Sequence, residues 1–185
     1  MPAISVFNSS IIIALPPALG QTRALCITPV GDAAPAGETL TTVLWNWGEV
    51  HAGIATITAP IVEAFVPQML NYESVAGVNF KKGCYPGQEV VARSQFRGTL
   101  KRRAYVVHID GDDSQPFVSQ EVFHESDAEQ PCGMVAQTAA NPSSGFSAIV
   151  SMQTSAAESG KLTLGSANGA NITLLPLPYP LLEDI

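Results

Sequence analysis

Apolar and polar residues alternate in short blocks along this chain, and the blocks change character near residue 100. Residues 4–14 and 23–28 are apolar runs of strand length, and each is read as one short strand. The first contains Ile11-Ile12-Ile13-Ala14-Leu15, which reads as a buried strand and is cut by Pro16-Pro17, far short of the roughly 20 residues a bilayer crossing needs. No basic segment precedes it, which argues against a secretory leader. The stretch from Gly31 to Gly37 is a loop. Leu40, Val43, Leu44, Trp47 and Val50 recur at helical spacing and predict a helix over 39–50. Ala52 to Ile57 reads as a turn and a short extended segment. Pro67 argues against a regular helix over 63–70, and Asn71-Tyr72-Glu73 fall in a loop. Lys81 to Gly87 is a turn, Gln88 to Phe96 a helix, and Gly98 its end.

Beyond Arg103 the pattern becomes strand after strand. Six candidates (105–109, 118–123, 133–138, 148–152, 162–164 and 172–175) are separated by Gly, Pro, Asp, Asn and Ser. Regular short strands with turn signals predict a small antiparallel barrel or sandwich, with a domain boundary near 98–103.

Composition narrows this. Apolar residues make up 46% and charged residues 14%, so a packed core is expected rather than disorder. With 15 glycines and 14 prolines, short elements and turns are favoured over long helices. The three cysteines, Cys26, Cys84 and Cys132, form no CxxC pair or metal-ligand cluster, and suggest free thiols in a reducing cytoplasm. The net charge is −7, yet Lys81, Lys82, Arg93, Arg97, Lys101, Arg102 and Arg103 crowd one window opposed only by Glu89. That asymmetry points to an anionic ligand or partner, or else to a solvated basic helix.

The segment Lys81-Lys82-Gly83-Cys84-Tyr85-Pro86-Gly87-Gln88-Glu89 carries the candidate chemistry. Cys84 sits just before a predicted helix N-terminus, whose partial positive charge favours a thiolate. Lys82 acts in the same direction by charge attraction. Two readings fit: a reactive, exposed thiol, or a small apolar cysteine packed under a turn. Cys26 and Cys132, in apolar surroundings, read as structural. Glu89, Arg93 and Arg97 are spaced i, i+4, i+8, which suits ion pairing on one helix face.

Lys82 to Glu89 resembles the signature KGCYxGQE of the YgfZ family, folate-binding relatives of the glycine cleavage T-protein. Further segments match in register. Trp45 and Ala52-Gly53-Ile54 resemble the family's tryptophan and its AGxP-type segment, with Ala55 where proline is usual. Phe65-Val66-Pro67-Gln68 and Asn71 resemble its FIPQxxN segment. Gly77-Val78-Asn79-Phe80 precedes the signature, Val91-Ala92-Arg93, Arg97-Gly98 and Lys101-Arg102 follow it, and Leu175-Pro176-Leu177-Pro178-Tyr179 resembles the closing segment. The match runs from about residue 40 to 182.

The resemblance implies an α+β protein: over 1–100 a partial T-protein-like (ferredoxin-like) folate-binding core, and over 101–185 a C-terminal antiparallel β-barrel. It implies that the first half of the family fold is missing here, which leaves strand edges and apolar faces open near the N-terminus and weakens folate binding. The implied cofactor is tetrahydrofolate or a derivative. The implied partners are iron–sulfur proteins such as tRNA-modifying enzymes, whose assembly or repair the family supports, in the cytoplasm and without a membrane. Carried over by residue, Cys84 is the candidate reactive thiol and Lys82 its activator. Trp45, Asn71, Gln88, Glu89 and Arg93 are the candidate cofactor-binding residues. An indole offers a flat face for a pterin or aminobenzoyl ring, although Trp45 also fits as a core anchor, and Trp47 points elsewhere for packing. Glu89 and Arg93 fit an ion pair as well as a ligand contact, and the basic stretch 93–103 fits either a folate glutamate tail or a nucleic acid. Two other functions compete with the accessory role. One is a one-carbon (aminomethyl) transferase, whose catalytic aspartate the family places outside this chain. The other is an interaction module without folate.

Overall fold

The computed structural model describes residues 3–96, 100–111 and 115–182 of the 185-residue chain. Six strands close an antiparallel barrel in the order β4-β7-β6-β5-β8-β9. They are β4 (Arg102–Ile109), β5 (Glu121–His124), β6 (Asp127–Ala140), β7 (Phe146–Gln153), β8 (Leu162–Leu164) and β9 (Asn171–Leu175). The ring closes where β9 pairs with β4, Ile172 opposite Ile109 and Leu175 opposite Val106. Each of the six expected strands is present, and closure decides for the barrel over the sandwich.

Period-2 alternation explains what lies on either side of the barrel wall. Along β7, Ala148, Val150 and Met152 point into the barrel, while Ser147, Ile149 and Ser151 point outward. Along β4, Val107 and Ile109 face in, and Ala104 and Val106 face out. A register shift between Val135 and Gln137 in β6 puts Val135 inside and the next residue, Ala136, outside. The outward residues are buried all the same. They meet Val50, Ala55, Ile61 and Leu70 from the preceding segment in a second core. A fully buried valine or isoleucine contributes about 1.5–3 kcal/mol, so both sides of the wall matter energetically.

The second layer is built from helix α1 (Thr42–His51) and two 3₁₀ turns, Ala59–Ile61 and Pro67–Leu70. Thr41 caps α1, its Oγ1 accepting from the Leu44 N–H at 3.3 Å. The Ser147 hydroxyl fastens α1 to the wall, lying 3.2 Å from Trp47 Nε1 and 3.0 Å from His51 Nε2. Trp47 therefore packs, as its spacing implied. Helix α2 (Gln88–Phe96) has the bounds expected of it, whereas Arg97 and Gly98 lie outside the described residues. No helix among the described residues is long and apolar enough to cross a membrane.

The first thirty residues depart from the sequence reading. Residues 4–14 form two strands, not one: β1 (Ile4–Phe7) and the start of β2 (Ser10–Ala18). A third, β3 (Gln21–Ile27), completes an antiparallel sheet in the order β1-β2-β3. Pro16-Pro17 does not end β2, because the prolines coincide with a register shift between Leu15 and Ala18 where ladder hydrogen bonds lapse. The β2–β3 turn is Leu19-Gly20, with φ of 53° and 74°, the left-handed pair that suits a two-residue hairpin. This sheet has little covering it, and Ile4, Val6 and Phe7 are 66%, 73% and 68% exposed. The expectation of a buried strand at 11–15 fails for the same reason: Ile11 is exposed and Ile12 to Leu15 are only half-buried.

Asn71-Tyr72-Glu73, expected in a loop, are a turn held in the interior. Asn71 has a left-handed backbone (φ 58°) and is fully buried. Its Nδ2 donates to the Ala104 carbonyl at 2.8 Å and its Oδ1 accepts from the Ala104 N–H at 3.2 Å, so one side chain imitates a neighbouring strand. Glu73 is paired with Arg103, and both side chains are buried. Arg103 also donates to the Leu182 carbonyl at 2.8 Å, and Ser74 Oγ accepts from the Leu182 N–H at 2.9 Å. The tail is pinned again where the Tyr179 hydroxyl donates to the Gly53 carbonyl at 2.6 Å. Gly53 has φ 71°, and a Cβ there would lie 2.9 Å from the Tyr179 ring, so only glycine fits.

Two outcomes follow from these contacts. Glu73→Ala, which takes a buried carboxylate away from Arg103, lowers unfolding stability in urea by about 3–5 kcal/mol, and the paired change Glu73→Leu with Arg103→Met recovers most of the loss. Burial against Trp47 and β7 pushes the His51 imidazole below its ordinary value of 6.5. Its contribution is therefore complete above pH 6.5 and declines as pH falls below it, because the unfolded chain then binds the proton more readily. Melting temperatures across that range fall towards acid, and less steeply in His51→Gln.

Candidate functional site

The signature segment lies at the surface. Cys84 is a free, exposed thiol in the irregular stretch that leads into α2. The turn holding it is closed by Gln88: the Tyr85 N–H donates to Gln88 Oε1 and the Gln88 N–H donates to the Tyr85 carbonyl, each at 3.3 Å. The backbone bond closes a four-residue β-turn with Pro86 and Gly87 at its centre, and Gly87 supplies the left-handed backbone that this turn needs (φ 82°). Lys82 Nζ lies 4.6 Å from the centroid of the Tyr85 ring, a cation–π contact that draws the ammonium across the turn. Glu89 and Arg93 form an i, i+4 ion pair at 2.8 Å, with both side chains largely exposed. Such a surface pair contributes only about 0.3–0.5 kcal/mol. Glu89, Ala92, Arg93 and Phe96 line a hollow of about 300 Å³ on α2.

Trp45 is half-buried on α1, with the Arg23 guanidinium 4.8 Å above its ring. Arg23 also reaches the Gly48 carbonyl at 3.2 Å and pairs with Glu49, and burial lowers its pKa from the ordinary arginine value. The contacts of Trp45 are thus with sheet and helix, whereas those of Cys84, Lys82, Gln88, Glu89 and Arg93 stay within the signature turn and α2. Asn71 belongs to neither group, because its amide is engaged with Ala104.

One residue quoted only as part of a motif acquires a role. Gln68 is fully buried, and its Nε2 donates to the Val91 carbonyl at 2.7 Å, tying α2 to the 3₁₀ turn Pro67–Leu70. Among the described residues, Gln68 Oε1 and Gln95 Oε1 are buried without a hydrogen-bond partner. A polar residue directly after Val66-Pro67 was the available signal for this tether.

The basic window sorts into two groups. Arg103 is buried against Glu73, and Arg102 turns back to the Cys132 carbonyl at 3.1 Å. Lys81, Lys82, Arg93 and Lys101 are exposed, and Arg97 lies outside the described residues. The local basic surface is therefore smaller than the seven residues of the sequence suggest.

No family model matches the chain. Curated relatives do. Over 82 residues it is 40% identical to the tRNA-modifying protein YgfZ of Colwellia psychrerythraea, covering 44% of this chain and 25% of that protein. Over 64 residues it is 47% identical to the protein of the same name from Photobacterium profundum, covering 35% and 20%. Over 58 residues it is 48% identical to that of Cronobacter sakazakii, covering 31% and 18%. Over these stretches the chain is similar to YgfZ proteins. The match spans a quarter or less of these YgfZ relatives' own length.

Tetrahydrofolate, the group that the YgfZ resemblance implies, asks for a flat aromatic face and cations for its glutamate carboxylates. Trp45 offers a half-buried indole, with Arg23 already against it, and Lys82 and Arg93 offer exposed cations. The residue types fit the group, although Asn71, with its amide occupied, is a support for β4 and not a surface for a ligand.

The three thiols differ in a way that titration reads directly. Cys26 is exposed in β3, against the structural expectation. Cys132 is buried in β6, and burial pushes its thiol pKa up. A disulfide reagent added to the native chain therefore modifies Cys26 and Cys84 quickly and Cys132 only on unfolding. Cys84→Ser removes one of the two fast equivalents.

Proposed function

We propose that this protein is a tetrahydrofolate-binding accessory factor that supports assembly or repair of iron–sulfur enzymes, and through them tRNA modification, in the cytoplasm. The observation that carries the reading is the exposed Cys84 sulfur in the signature turn. Gln88 shapes that turn, Gln68 anchors the helix that follows, and Lys82 stands two residues away. Similarity to proteins named for tRNA modification supports the same direction. In this reading residues 1–100 are part of a T-protein-like folate-binding core, and residues 101–185 are the barrel domain beside it.

Each residue has a part. Cys84 is the reacting thiol, and Lys82, in the same turn, is its activator. The Trp45 indole carries the flat ring system of the folate, and Lys82 and Arg93 meet its carboxylates. Glu89 holds Arg93 in place, Gln88 holds the Cys84 turn, and Asn71 fixes the start of β4. Bound folate supplies a carrier of one-carbon units; the chain's own groups bind and orient it.

The test uses cells that lack their own YgfZ-type protein. Expressed there, the wild-type sequence supports iron–sulfur-dependent tRNA modification and Cys84→Ala does not. Full support by Cys84→Ala would falsify the thiol's role. Calorimetric titration of the chain with tetrahydrofolate gives a Kd weaker than about 1 μM, about −8 kcal/mol, because Arg23 already occupies Trp45 and Asn71 is engaged elsewhere. That Kd is unchanged in Cys84→Ala.

A further inference from the structure

We propose that the surface running from Tyr85 through Lys82, Lys81 and Phe80 to Phe96 and Arg93 binds a single-stranded nucleic acid. The inference deepens the reading above by naming direct contact with a nucleic acid, and takes only its tRNA context from that reading.

Contacts and chain adjacency together link these residues. Lys82 sits over the Tyr85 ring at 4.6 Å. Lys81 joins Lys82 to Phe80 along the chain. The Phe80 and Phe96 rings meet edge to face, with centroids 5.5 Å apart and planes at 68°. Phe96 and Arg93 share the 300 Å³ hollow on α2. Cations and rings are therefore mixed along one strip. Phe80 and Phe96 are 37% and 54% exposed, a costly arrangement for phenylalanine in a monomer unless something covers the rings.

Charge chooses the kind of partner. The whole chain carries −7, yet among the described residues the strip has Lys81, Lys82 and Arg93 against Glu89 alone. The two neighbouring arginines that would have made a general basic patch, Arg102 and Arg103, are turned inward. What remains is narrow: a few cations set among exposed rings. Phosphates spaced along a backbone match the cations, and unstacked bases match the rings. A duplex keeps its base faces stacked away from any side chain, so the rings would gain nothing from it. A protein partner with acidic side chains would use the lysines and leave the phenylalanines bare.

Fluorescence anisotropy of the 185-residue chain with labelled RNA and DNA oligonucleotides of about 12 nucleotides, each single-stranded and as a duplex, tests this across a potassium chloride series. The single strands bind, and log K falls against log salt with a slope of about −2, from three phosphate contacts at about 0.7 each. Lys81→Ala with Lys82→Ala reduces the slope to about −0.7. Phe96→Ala weakens binding about tenfold and leaves the slope alone, because stacking releases no counterions. Phe96→Leu, which keeps apolar bulk without an aromatic face, behaves like Phe96→Ala. Tighter binding of RNA than DNA identifies RNA as the source, and equal binding identifies single strands in general. The proposal is overturned by absence of binding at low salt, by duplexes binding as well as single strands, by an unchanged slope in the double lysine variant, or by full affinity in Phe96→Ala. The altered side chains are exposed, and unchanged melting temperatures show that each variant is folded. Neither folate nor an iron–sulfur client enters the measurement, so failure of the accessory-factor reading leaves its outcome intact.

Discussion

The start of β4 is where the parts of this chain are joined. Asn71 offers Ala104 an acceptor and a donor from one amide, and the adjacent Glu73 meets Arg103 in the interior. Buried polar groups are costly when half satisfied and directional when satisfied, so these contacts fix the register between the turn at 71–74 and the barrel in a way that apolar packing alone does not. Everything proposed for the signature segment depends on that register. The 3₁₀ turn preceding Asn71 carries Gln68, and Gln68 holds α2.

The barrel wall extends the same logic. β4, β6 and β7 send alternate side chains into two different cores, so a polar exchange at either face disturbs packing. Hydrogen bonds add to the apolar packing between the wall and the second layer. Ser147 takes Trp47 and His51, Ser151 donates to the Met69 carbonyl at 2.8 Å, and the Thr56 N–H donates to Gln137 at 2.8 Å. Serines in the middle of a buried strand are legible only once their partners are known.

The sequence made the barrel and α2 plain because alternation and turn residues are local signals. It misread Pro16-Pro17 as a stop, because propensity does not report that a register shift excuses a proline. It missed the hairpin at Leu19-Gly20, because leucine with a positive φ is not a turn signature. At the candidate site the turn around Cys84 was legible from its glycines and proline. The burial of Asn71 and Glu73 was not, since only tertiary partners thirty or more residues away distinguish such a turn from a surface loop. The seven-cation window was likewise a one-dimensional count, and folding turned two of its arginines inward.

The Leu182 carbonyl is one of the acceptors around the Arg103 guanidinium, and Tyr179 braces Gly53. During synthesis the ribosome delivers these residues long after Glu73 and Arg103 have emerged. Until then the nascent chain carries a desolvation burden at that arginine which the Leu182 carbonyl helps to relieve. A stall or premature stop before Tyr179 would thus strand a chain with its joint unsealed, a natural substrate for quality-control proteases.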